Sequence, residues 1–117
     1  MKKLFILDDD EDIVEVMNHI LRQQYIVRFK TDAEHIAKDI LDFQPDLIIL
    51  DNFIGTTNAG EIINTLKQQS SLAAPVILFS AAHDIADTAA LLGANGFLEK
   101  PASIQKIREY IREVLEN

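Results

Sequence analysis

Five short apolar runs alternate with longer stretches in which apolar residues recur every three or four positions. The runs cover residues 4–7, 25–29, 47–50, 76–79 and, more weakly, 96–98. The third, PDLIILD, shows no polar alternation. A strand reads this way when both of its faces are covered, as in a parallel sheet. Between the runs the period changes. Ile13, Val16, Met17, Ile20 and Leu21 fall at helical spacing, as do Ile36, Ile40 and Leu41, and then Ile62, Ile63 and Leu66. The last such stretch holds Ile104, Ile107, Ile111, Val114 and Leu115. Residues 85–92 are alanine-rich and predict a helix that Gly93 stops. Thr31-Asp32 and Ser103 are credible helix starts.

This order is strand–helix repeated five times. Right-handed crossovers put helices on both faces of one sheet. The pattern predicts an α/β, doubly wound (βα)5 flavodoxin-like sandwich with a central five-stranded parallel sheet in the order 2-1-3-4-5. Ligands of such folds bind outside the carboxyl ends of the strands, near the switch between strands 1 and 3.

Composition narrows the class. A chain of 117 residues, 48% hydrophobic and without a Pro/Gly/Ser-rich linker, reads as one domain over 1–117. It has no cysteine, which fits a reducing, cytoplasmic location. The basic start, Met1-Lys2-Lys3, precedes only four apolar residues, too few for a signal peptide or a membrane span. A net charge of −8 argues against nonspecific nucleic-acid binding.

The predicted strand ends carry the chemistry. Strand 1 runs into five consecutive acids, 8–12. Strand 3 ends in Asp51, strand 4 in Ser80, and strand 5 is followed by Lys100-Pro101. Glu11, Asp12 and Glu15 suit the first turns of a helix, whose dipole favours acids. For Asp8-Asp9 that reading and a functional one are evenly matched, and Ser80 or Lys100 alone means little. Together the predicted topology gathers three carboxylates, a hydroxyl and an ammonium at one edge. Clustered carboxylates need a counter-charge, and an all-oxygen donor set suits Mg²⁺. His19, His35 and His83 lack ligand spacing. A carboxylate, Mg²⁺, a lysine and a hydroxyl suit phosphoryl transfer.

Four motifs in order, FILDDDEDI, PDLIILD, PVILFSA and GANGFLEKP, make the whole chain resemble the receiver domain of bacterial two-component response regulators. The resemblance implies that Asp51 is the phosphoacceptor for a sensor histidine kinase or a histidine phosphotransfer protein. It implies that Asp9 binds Mg²⁺ directly, Asp8 mainly through water, and Phe53 through its backbone carbonyl. Lys100 would pair with Asp51 and then with a phosphoryl oxygen. Ser80 would hydrogen-bond that group, and Phe97 would be an aromatic switch that turns inward on activation. The Lys100–Pro101 bond is expected to be cis. The readout would be the face of helix 4, strand 5 and helix 5, which could also form a homodimer. No membrane and no direct nucleic-acid contact are implied for this domain.

The sequence also departs from the family's pattern. Gly55 stands where a proline is usual, and the glycine before helix 3 comes at Gly60, one place late, after Ala59. A mobile or rearranged loop is the expectation. Phe53 and Ala82 occupy positions that tune dephosphorylation in the family, and an apolar pair there predicts a slow reset. Two rival readings use the same residues. A degenerate receiver would act only as an interaction module. A haloacid-dehalogenase-like phosphatase would use Asp8-x-Asp10, but it lacks the expected threonine and leaves Asp51 unexplained. A flavodoxin relative would need a phosphate loop where the acids stand.

Overall fold

The expected alternation is realised in a computed structural model that describes residues 1–69, 73–81 and 83–116. The elements are β1 (Lys3–Leu7), α1 (Glu11–Leu21), β2 (Ile26–Lys30), α2 (Ile36–Phe43) and β3 (Leu47–Leu50). A short hairpin follows, β4 (Phe53–Ile54) and β5 (Thr57–Asn58). Then come α3 (Ala59–Lys67), β6 (Val76–Ser80), α4 (Ile85–Leu92), β7 (Gly96–Glu99) and α5 (Ile104–Glu116). The main sheet is parallel throughout, in the order β2-β1-β3-β6-β7. With the hairpin strands set aside, this is the predicted 2-1-3-4-5.

Successive strand residues point to opposite faces, and both faces are apolar. Phe5, Leu7, Ile48, Leu50 and Leu78 pack with α2, α3 and α4. Leu4, Ile6, Leu47, Ile49, Ile77 and Phe79 pack with α1 and α5. This double burial is why 47–50 shows no polar alternation. Each such side chain contributes about 1.5–3 kcal/mol of burial free energy. Among the described residues, no helix is long and apolar enough to cross a membrane.

Three local expectations change. The buried stripe of α1 is Val14, Met17, Ile20 and Leu21, while Val16 is 54% exposed. Residues 14, 17 and 21 share one side of a 3.6-residue helix, and Val16 lies off it. Ile104, at the first position of α5, is exposed as well, and Ile107 and Ile111 carry the burial. Thr31-Asp32 does not start a helix. Asp32 Oδ1 instead accepts the Glu34 N–H at 2.9 Å, and α2 begins at Ile36. A short acid satisfies a backbone donor in a turn as readily as at a cap. The other two predicted boundaries hold. Ser103 Oγ accepts the Lys106 N–H at 3.1 Å at the start of α5. Gly93 closes α4 in a left-handed conformation, φ +81°.

Candidate functional site

The register of the sheet builds the site. Leu7 pairs with both Lys30 and Leu50, so β1 and β3 end level with each other. Asp8 and Asp51 are the next residues and emerge side by side. The Asp51 N–H donates to the Leu7 carbonyl at 2.9 Å, and the Asp8 N–H to the Lys30 carbonyl at 3.2 Å. Asp8 is 2% exposed. Its Oδ1 accepts the Asp10 N–H at 3.0 Å, and its Oδ2 takes the Lys100 ammonium at 2.8 Å. Asp10 in turn caps α1 by accepting from the Asp12 and Ile13 N–H groups. The five acids therefore divide the work. Asp8 and Asp9 join the strand-end cluster, Asp10 caps, and Glu11 and Asp12 occupy the first turn.

One carboxylate oxygen each from Asp8, Asp9 and Asp51 lies within 4.8 Å of the others. Three hard, anionic donors at this spacing fit a divalent cation such as Mg²⁺. Burial pushes the Asp51 carboxyl above the ordinary aspartate range, and the Asp8 charge adds to it. Lys100, the Asn52 N–H and Asp9 act more weakly, the first two downward and Asp9 upward. Lys100 lies 3.6 Å from Asp51 Oδ2, farther than from Asp8, with its ammonium over the Phe79 ring. It is the family-implied partner of Asp51, but its closer contact is Asp8. The Lys100–Pro101 bond is cis, as expected, and the Lys100 N–H donates to the Ser80 carbonyl at 2.9 Å.

Ser80 is buried at the end of β6. Phe97 on β7 is 40% exposed, so it is not an ordinary core residue. The neighbouring Tyr110 hydroxyl has its acidity lowered by burial, while a hydrogen bond from the Phe97 backbone opposes the shift. Phe53 opens β4 and is 56% exposed. Ala82 lies outside the described residues.

The unusual loop is a hairpin. Ile54 pairs with Thr57 across a Gly55-Thr56 turn, and Gly55 has φ +62°. A positive φ at the first central residue alone is the type II′ pattern, which calls for glycine there. A proline could not adopt it. Asn58 then caps α3 through the Glu61 N–H at 3.0 Å. Gly60 does not precede α3 as expected but is its second residue, and a Cβ there would lie 2.8 Å from Leu92 Cδ2 of α4. The Gly55 N–H donates to Asp9 Oδ2 at 3.1 Å. Sequence reading missed this last contact, because the donor is backbone.

Known proteins resemble the chain along its length. Residues 4–112 match the family model described as the response regulator receiver domain. The response regulator ArlR of Staphylococcus aureus is 29% identical over 118 residues, covering 98% of this chain and 53% of that protein. The chain thus spans about half the length of the curated relatives it matches. The N-terminal domain of the nisin resistance regulator NsrR is 26% identical with a TM-score of 0.88, covering 98% of each chain. The chemotaxis protein CheY4 of Vibrio cholerae shares the fold at 21% identity and a TM-score of 0.88, covering 97% of this chain and 98% of that one.

Proposed function

The chain belongs to the response regulator receiver domain family of two-component systems, and from that premise we propose that it is a phosphorylation switch with Asp51 as phosphoacceptor. One observation carries this reading: the three carboxylates converge within 4.8 Å with Lys100 on two of them. An Asp51 oxygen attacks the phosphorus of a phosphohistidine on a sensor kinase or phosphotransfer protein. The P–N bond breaks and an aspartyl phosphate forms. Asp8, Asp9, Asp51 and the Phe53 carbonyl would hold Mg²⁺, which would supply charge neutralisation to the transferring group. Lys100 is within reach of both Asp8 and Asp51 and can move from carboxylate to phosphoryl oxygen. Ser80, at the adjacent strand end, donates its hydroxyl to the new group.

Those contacts exist only with the phosphorylated form, so they shift the equilibrium between two conformations. Phe97 is poised outward as the residue that turns in. Phe97 on β7 is exposed and apolar, and the α4–β7–α5 face it belongs to would take a phosphorylation-dependent partner or a second copy. The domain 1–117 acts as one unit in the cytoplasm, without membrane or direct nucleic-acid contact.

The test is chemical: acetyl phosphate should add one phosphoryl group to the wild type and none to Asp51→Asn. The reset should be slow, because Phe53 offers the attacking water no polar partner. Phe53→Asn is expected to shorten the aspartyl-phosphate lifetime several-fold, read by intact mass over time. An unchanged or longer lifetime would contradict the role given to Phe53.

A further inference from the structure

We propose that Gly55 is a positioning residue for the cation site, acting through its backbone N–H on Asp9. This rests on the reading of Asp8, Asp9 and Asp51 as Mg²⁺ ligands. Asp9 is the exposed member of that cluster. An exposed aspartate side chain rotates freely unless something holds it, and its rotamer decides whether an oxygen faces the cluster. The contact that holds it comes from the hairpin tip 46 residues away. The Gly55 N–H donates to Oδ2 at 3.1 Å and leaves Oδ1 for other ligands.

The hairpin makes that donor dependable. Two-residue strands β4 and β5 pair on either side of the turn, and the Ala59 N–H donates to the Asn52 carbonyl at 2.7 Å across its base. Ile54 is buried in the core beside α3 and anchors the outgoing strand. The positive φ at Gly55 turns the chain back directly after this amide, and glycine takes that φ without a steric penalty. Hydrogen bonds to metal-binding carboxylates from outside the coordination sphere orient them, and losing one typically costs 10–100-fold in metal affinity. The hairpin is thus a strap that fixes Asp9 in its binding orientation. Cation binding and hairpin order are coupled through one backbone amide.

Two variants separate the donor from the turn. Gly55→D-Ala and Gly55→D-Pro both favour positive φ, but only D-Pro lacks the N–H. Both are accessible by chemical synthesis with ligation at Ala59 and desulfurisation. Mg²⁺ affinity is measured by backbone amide NMR titration, and fold stability by thermal melting. The D-Ala protein should bind Mg²⁺ within about twofold of wild type, and the D-Pro protein about tenfold more weakly. Melting temperatures of the two should agree, so the affinity gap reports the donor and not the fold. Equal affinities for the two variants, with wild type binding normally, would overturn this inference and leave the metal reading standing. A wild type that binds no Mg²⁺ at millimolar concentration would overturn the metal reading first, and this inference with it.

Discussion

Lys100→Met is expected to destabilise the fold by about 3 kcal/mol at neutral pH in the absence of divalent cations. For a domain of this size that is a fall in Tm of roughly 10 °C. The reasoning starts from Asp8. It is almost fully buried, and one of its oxygens relies on the Lys100 ammonium at 2.8 Å. Asp51 lies 3.6 Å from the same ammonium. Removing the lysine leaves a buried carboxylate without its partner, beside two others. Breaking a buried pair from one side costs far more than the pair contributes over an apolar replacement. Mg²⁺ should recover part of the loss, because a ligand that binds only the folded state stabilises it by mass action. Lys38→Met is the control. Lys38 pairs with Asp42 across an exposed helix face, where loss of the ion pair should change Tm little. Thermal melts of both variants, with and without Mg²⁺, check this. Equal small shifts for the two would mean that Lys100 does not neutralise the cluster.

Asp51→Asn is expected to act in the opposite direction, raising stability at neutral pH by on the order of 1 kcal/mol. The cause is the raised pKa of Asp51, set first by burial and then by the Asp8 charge. A carboxyl whose folded pKa exceeds its unfolded one binds more protons in the native state. Stability therefore falls as pH rises from the unfolded pKa through the folded one. Above that window Asp51 is charged in both states and its ionisation works against folding. Below it the group is neutral in both states and costs nothing. Asparagine removes the charge at every pH. The gain in Tm should be present at pH 7 and should shrink as pH falls towards the ordinary aspartate pKa of about 4. Melts across that range, without divalent cations, would show it. A variant less stable than wild type at pH 7 would mean that the Lys100 attraction outweighs burial and repulsion. The prediction also bears on function, since a strained carboxylate next to two others is one that a cation or a phosphoryl group can relieve.

The sheet order and the strand ends were legible because parallel strands buried on both faces leave unbroken apolar runs, and each run here ends on a polar residue. Leu7 and Leu50 stop level, so Asp8 and Asp51 meet as the pattern required. Local features were less legible. Val14 and Val16 are the same residue type two positions apart, and only packing decides which is inside. Asp32 carries a helix-start signal but spends its oxygen on a turn. Strands of two residues, Phe53–Ile54 and Thr57–Asn58, fall below any periodicity that a sequence can display. The missing proline marked the loop as different. The Gly55-Thr56 pair held the turn signal, yet its N–H on Asp9 has no side chain to announce it. The closer attachment of Lys100 to Asp8 than to Asp51 likewise follows from depth of burial, which spacing does not encode.

The central claim is that Asp51 takes a phosphoryl group at a cation site built by Asp8 and Asp9. Intact mass after incubation with acetyl phosphate tests it most directly, for wild type and Asp51→Asn, each with Mg²⁺ and with a chelator. A single phosphoryl adduct on wild type, absent from Asp51→Asn and absent without Mg²⁺, is the predicted result. An adduct that persists in Asp51→Asn, or that forms equally well in the chelator, would contradict the account.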